Sequence, residues 1–129
     1  MDKINITTQE QLTALYAQFS GMKFNRDRES FCNFFYDISE TSKYFFKEIR
    51  FNWDNRYPTS KDIDNAHSAL VTIGAISLLS YEPEHLIIRP FCKRYFNKFK
   101  DKLTKEQIGE LEKIAQEFKI KLKVKNVSD

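Results

Sequence analysis

NAHSALVTIGAISLLSY, Asn65 to Tyr81, is the longest run in the chain without a charged side chain. It contains Asn65, His67, Thr72 and three serines, and it is short for a hydrocarbon layer roughly 30 Å thick. It therefore reads as a buried helix and not as a membrane span. Upstream, Pro58 marks a turn, Thr59 or Ser60 supplies an N-cap, and Asp62 and Asp64 complement the dipole of the first turns. Ile63, Ala66, Leu70 and Ile73 form a stripe at helical spacing. Ala66, Ala69, Gly74, Ala75 and Ser77 are small enough to let neighbouring helices approach closely. A central helix is expected here.

The segments around it read as helices too. In TTQEQLTALYAQFSG, Thr7 and Glu10 have the spacing of a capping box, Leu12, Leu15, Tyr16 and Phe19 share a stripe, and Gly21 can stop the helix. In DRESFCNFFYDISE, Phe31, Cys32, Phe34, Phe35, Tyr36 and Ile38 cover about 200° of the circumference, which predicts a second central helix. SETSKYFFKEIRFNWDN predicts a third helix with Phe45, Phe46, Ile49 and Trp53 on its buried face. Tyr44 and Phe51 point the opposite way, beside Arg50.

In EPEHLIIRPFCKRYFNKFKDKL, Pro83 suits a first helical turn, and Pro90 either kinks that helix or begins a new one. Phe91, Cys92, Tyr95, Phe96, Phe99 and Leu103 then occupy an arc of about 140°. Thr104 and Gln107 form a capping box ahead of Ile108, Leu111, Ala115 and Phe118. KIKLKVKNV alternates apolar and basic residues, which is strand periodicity, and the N-terminal KINI is its expected partner in a two-stranded ribbon. With only three glycines and three prolines in 129 residues, the expectation is an all-α bundle of five to six helices over residues 1–118. Residues 119–129 would be a lysine-rich strand or frayed tail of the same domain.

Charge is uneven. The net charge is +3, but residues 1–86 carry 9 Lys/Arg against 12 Asp/Glu and residues 87–129 carry 12 against 6. MDKINITTQEQ has polar residues where a secretory signal needs an apolar stretch, so Cys32 and Cys92 are expected to be reduced, buried thiols and the protein cytoplasmic. Gly21, Gly74 and Gly109 are isolated, which excludes a glycine-rich phosphate loop. Cys32, His67, His85 and Cys92 show no local metal-ligand spacing, and neither metal nor cofactor is expected. Asp64 and His67, three apart on one helix, could orient an imidazole, but no serine or second acid completes a catalytic set.

Two surfaces remain. Tyr44, Arg50, Phe51 and Tyr57 are residue types enriched in protein-interface hot spots, and they favour a non-catalytic binding module of the adaptor, inhibitor or immunity type, with another protein as partner. The alternative is a nucleic-acid-binding protein using Lys93, Arg94, Lys98, Lys100 and Lys102. A homodimer through the uncovered rings or the lysine-rich strand is a further option.

Overall fold

Thr7 accepts a hydrogen bond from the Glu10 amide at 3.2 Å, and the Glu10 carboxylate accepts one from the Thr7 amide at 3.0 Å. The expected capping box thus starts the first helix, α1 (Thr8–Ala17), in the computed structural model. The model describes residues 3–54, 56–78 and 85–127. After α1 come β1 (Met22–Asn25), α2 (Arg28–Thr41), α3 (Lys61–Thr72), β2 (Ile76–Leu78) and β3 (His85–Ile88). The chain continues through α4 (Pro90–Asn97), a 3-10 turn at Lys100–Lys102, α5 (Lys105–Lys121) and β4 (Lys125–Asn126).

Among the described residues there are five α-helices and a four-stranded antiparallel sheet in the order β2-β3-β1-β4. The all-α bundle expected from the sequence is therefore corrected to a mixed α/β fold. The reason lies at Gly74. Its φ is +81°, its amide donates to Val71 O at 3.1 Å, and the Ala75 amide donates to Leu70 O at 2.9 Å. Those two bonds are the paired closures of a Schellman motif, so α3 stops there and Ile76–Leu78 becomes a strand. Gly74 is not a close-approach residue: an added Cβ would meet nothing within 4 Å.

The rest of the expected helix at 82–89 is corrected in the same way. His85–Ile88 is a strand with Leu86 and Ile88 inward, while Pro83 lies outside the described residues. β3 pairs Leu86 with Phe24 of β1 and Ile88 with Ile76 of β2. Side chains at every second position share a sheet face, so Phe24, Ile76, Leu86 and Ile88 are buried together against the helices. Pro90 takes the first position of α4.

The C-terminal ribbon is corrected as well. α5 begins at the expected Thr104–Gln107 capping box and runs on to Lys121, where Lys119 and Lys121 complement the negative end of its dipole. The alternation in KIKLKVK is thus read on a helix, and Ile120 is 78% exposed. Only Lys125–Asn126 is strand, and its partner is β1, not the N-terminal KINI.

α1 occupies the centre, with every residue from Gln11 to Ala17 buried, and it packs on α3, α4 and α5. α2 keeps the wet edge its sequence predicts at Asn33, Asp37 and Glu40. Phe118 of α5 joins these layers. Its ring meets Phe24 of β1 at 4.9 Å and Phe34 of α2 at 5.3 Å, both edge to face, the geometry that ring quadrupoles favour.

The expected helix over 39–55 is absent beyond Thr41. Residues 42–54 and 56–60 are irregular, and several of their backbone amides are held by side chains instead of by a helical ladder. The Glu110 carboxylate accepts from the amides of Lys43, Tyr44 and Phe45 at 2.6, 2.9 and 2.9 Å. The buried Gln11 carbonyl accepts from the Phe46 amide at 2.6 Å, which helps hold Phe46 at φ +61° with its ring inside. A non-glycine residue at positive φ is unfavourable by about 1 kcal/mol, and here burial of a phenylalanine side chain, worth roughly 1.5–3 kcal/mol, outweighs it.

Candidate protein-binding surface

Beyond Phe46 the chain forms a closed loop. The Arg50 amide donates to Asp62 Oδ2 at 2.9 Å, and Asn52 and Thr59 exchange backbone hydrogen bonds of 2.7 and 2.9 Å. At the tip, the Asp54 amide donates to Asn52 Oδ1 at 2.8 Å, an Asx turn that carries Trp53 outward. Trp53 is 58% exposed. Exposure of that degree is unusual for tryptophan, the side chain with the most apolar area to hide.

The indole stands on a platform. Tyr36 of α2 meets it edge-on at 5.1 Å and meets Phe51 edge-on at 5.3 Å. The Tyr36 hydroxyl donates to Glu40 at 3.0 Å, which raises the phenol's pKa and fixes the ring's position. Phe51 and Tyr57 are half-buried against the core.

Two arginines flank the rings. Arg50 reaches Asp62 through both Nε (3.4 Å) and Nη2 (3.1 Å), and the hydrogen bonds from Arg50 hold the Asp62 carboxyl below its usual range. Arg56 reaches Glu29 at 3.6 Å. Both guanidinium-bearing side chains remain largely open to solvent, at 88% and 86% exposure, so these ion pairs orient the arginines more than they stabilise the fold.

The four residues singled out in the sequence do not form one patch. Arg50, Phe51 and Tyr57 belong to the loop. Tyr44 is corrected: it is 7% exposed, and its hydroxyl donates to Glu106 at 2.9 Å beside the Glu110 tether. The sequence reading places Tyr36 inside because the apolar arc of α2 is so broad, and Trp53 inside because it extends a helix through 42–54. The signal against that helix is NWDNRYP itself, where Asn, Asp, Asn and Pro are turn formers.

The basic surface keeps its residues together. Lys93 and Arg94 of α4, Lys98, and Lys100 and Lys102 of the 3-10 turn are all exposed, and none makes an ion pair among the described residues. Arg94 lies over the Phe91 ring at 5.6 Å. Phe99 is buried, as expected, whereas Tyr95 is half-buried and stacks on Phe91 at 6.3 Å.

The Asp64–His67 pair does not form. Asp64 pairs with Arg28 at 3.4 Å, and His67 Nε2 lies 2.5 Å from the Tyr16 hydroxyl. Burial lowers the His67 pKa to about 3 and raises that of Cys92 to about 12. Cys32 and Cys92 are both free and buried. No helix among the described residues is long and apolar enough to cross a membrane. Comparisons with protein-family models, with curated proteins and with solved structures find no match to this chain.

Proposed function

We propose that the chain is a non-catalytic protein-binding module whose contact surface centres on Trp53, with Tyr36, Phe51 and Arg50 around it. The observation that carries this reading is the 58% exposure of an indole held by an Asx turn and by the Tyr36 ring, which Phe51 backs in turn. A preorganised tryptophan loses little conformational freedom on docking, and Trp, Tyr and Arg are the residues that dominate interface energetics. Arg50 and Arg56 on the flanks favour a partner that offers an apolar socket with an acidic rim. An adaptor or inhibitor acts in this way.

The absence of catalysis in this reading is supported by the state of the reactive groups. An imidazole with a pKa near 3 stays neutral at physiological pH, and a thiol with a pKa near 12 is not a nucleophile there. Free, buried cysteines fit a reducing compartment, and we place the protein in the cytoplasm.

Co-purification from lysate tests the surface. Trp53→Ala is expected to reduce recovery of the bound protein at least tenfold, with the unfolding midpoint unchanged because the indole is mostly outside. Equal recovery by wild type and variant would remove the reading. Binding of nucleic acid through Lys93, Arg94, Lys98, Lys100 and Lys102 is the second reading, supported by five exposed cations without ion pairs among the described residues. It predicts that oligonucleotide affinity falls steeply as salt rises, because each neutralised phosphate releases counterion. Affinity that is flat with salt would end it.

A further inference from the structure

Between α3 and the β2–β3 side of the sheet lies a cleft of about 280 Å³ whose lining contains none of the Trp53, Tyr36, Phe51 and Arg50 surface. Asp64, His67, Ser68 and Val71 line it along one face of α3, and Arg26, Arg28, Leu78 and Leu86 complete it. The cleft thus mixes polar donors with apolar side chains.

His67 supplies the most specific of these donors. Its ring is 5% exposed, and Nε2 faces the buried Tyr16 hydroxyl at 2.5 Å. Tyr16 has no other hydrogen-bond partner among the described residues. A buried phenol left without an acceptor for its proton is strongly unfavourable, so Tyr16 donates and Nε2 accepts. The neutral imidazole must then carry its proton on Nδ1. His67 lines the cleft, and its Nδ1 has no hydrogen-bond partner among the described residues.

Arg26 is the second donor. It follows β1 directly, is half-buried, and meets no carboxylate among the described residues. Burial raises the Tyr16 pKa and lowers that of His67; the positive charge of Arg26 opposes the first shift and adds to the second, so Arg26 acts on the same site. Half-buried guanidinium groups normally pair with an anion. Arg28 holds Asp64 through a long fork of 3.5 and 3.4 Å, loose enough for a ligand to compete. Val71 of α3, one turn beyond His67, and Leu78 of β2 are 44% and 47% exposed, an apolar lip that water contacts at a free-energy disadvantage.

We infer that this cleft binds a small organic anion, its carboxylate or phosphate head held by Arg26 and His67 Nδ1–H and its apolar body resting on Val71 and Leu78. The inference goes beyond the docking reading and stands without it. No covalent step is involved. Asp64 sets the limit on affinity, since a ligand carboxylate or phosphate enters a cleft that already holds that like charge.

The test is a titration of the full chain with benzoate, with phenyl phosphate and with neutral benzamide at constant ionic strength, followed through the His67 imidazole NMR signals. A saturable shift with at least one anion and none with benzamide is expected, and the two anions distinguish a carboxylate ligand from a phosphate one. Arg26→Gln is expected to weaken that binding tenfold or more, while Arg26→Lys restores part of it. Val71→Asp, a change at an exposed lip that leaves the fold intact, is expected to weaken it as well. No saturable shift with either anion, an equal response to benzamide, or less than tenfold weakening in Arg26→Gln would overturn the inference.

Discussion

His67 and Tyr16 are a buried polar pair among aromatic neighbours, with Phe31 packed on the imidazole at 5.0 Å. Their energetics are readable as a pH dependence. The groups facing the imidazole are Tyr16 from α1 and Arg26 beyond β1, with Arg28 and Asp64 at the cleft. Burial is the main cause of its lowered pKa of about 3, and the charge of Arg26 adds to it. The unfolded chain takes up a proton near pH 6.5, whereas the folded one does not until about pH 3. Stability from this site is therefore complete above about pH 6.5 and is lost progressively as pH falls toward 3. At pH 5 the loss is about 2 kcal/mol relative to pH 7. Urea unfolding of wild type and His67→Gln at the two pH values measures it; the variant, which keeps an acceptor for Tyr16 but does not titrate there, is expected to lose about 2 kcal/mol less. At this scale the sequence was informative about identity and silent about partners. The i, i+3 spacing of Asp64 and His67 suggested a pair, but a local rule cannot foresee that Arg28 and Tyr16, from other elements, bind each of them instead.

Helix starts were legible and helix ends were not. Thr7 with Glu10, Ser60, Pro90 and Thr104 with Gln107 each mark a first turn, because the unpaired amides there need a local acceptor or a residue without N–H. Ends depend on one residue adopting positive φ, and Gly74 was read instead as a small residue for helix packing. An apolar run such as Ala69–Leu78 has no polar face to reveal whether its period is 3.6 or 2. The strand Met22–Asn25 is too short to show alternation, and segment 42–60 depends on Glu110 and Gln11 from distant helices. Gly74→Ala isolates the decisive position. A Cβ there meets no neighbour, so the cost is the backbone conformation alone, about 1 kcal/mol in urea unfolding. A neutral outcome would mean that α3 ends without help from the left-handed residue.

Across the whole molecule the aromatic surplus divides into a core and a display. Most rings of the 31–53 stretch are inside: Phe31, Phe34, Phe35, Tyr44, Phe45 and Phe46 are all buried. What remains outside is Trp53 with its supports. The prospect of an uncovered aromatic surface was legible from ring content, but its location was not, because helical bookkeeping assigned Tyr36 and Trp53 to the interior. The positive charge of the C-terminal third is spread over α4, the turn that follows it and α5, and Lys and Arg stems lie outward wherever the opposite arc is apolar. The most direct test of the Trp53 surface is photo-crosslinking in living cells, with p-benzoylphenylalanine at position 53 and, as a control, at position 120, where Ile120 is 78% exposed on α5. A discrete heavier protein adduct formed from position 53 and missing from position 120 is the predicted result; no adduct at 53, or the same adducts from both positions, would contradict it.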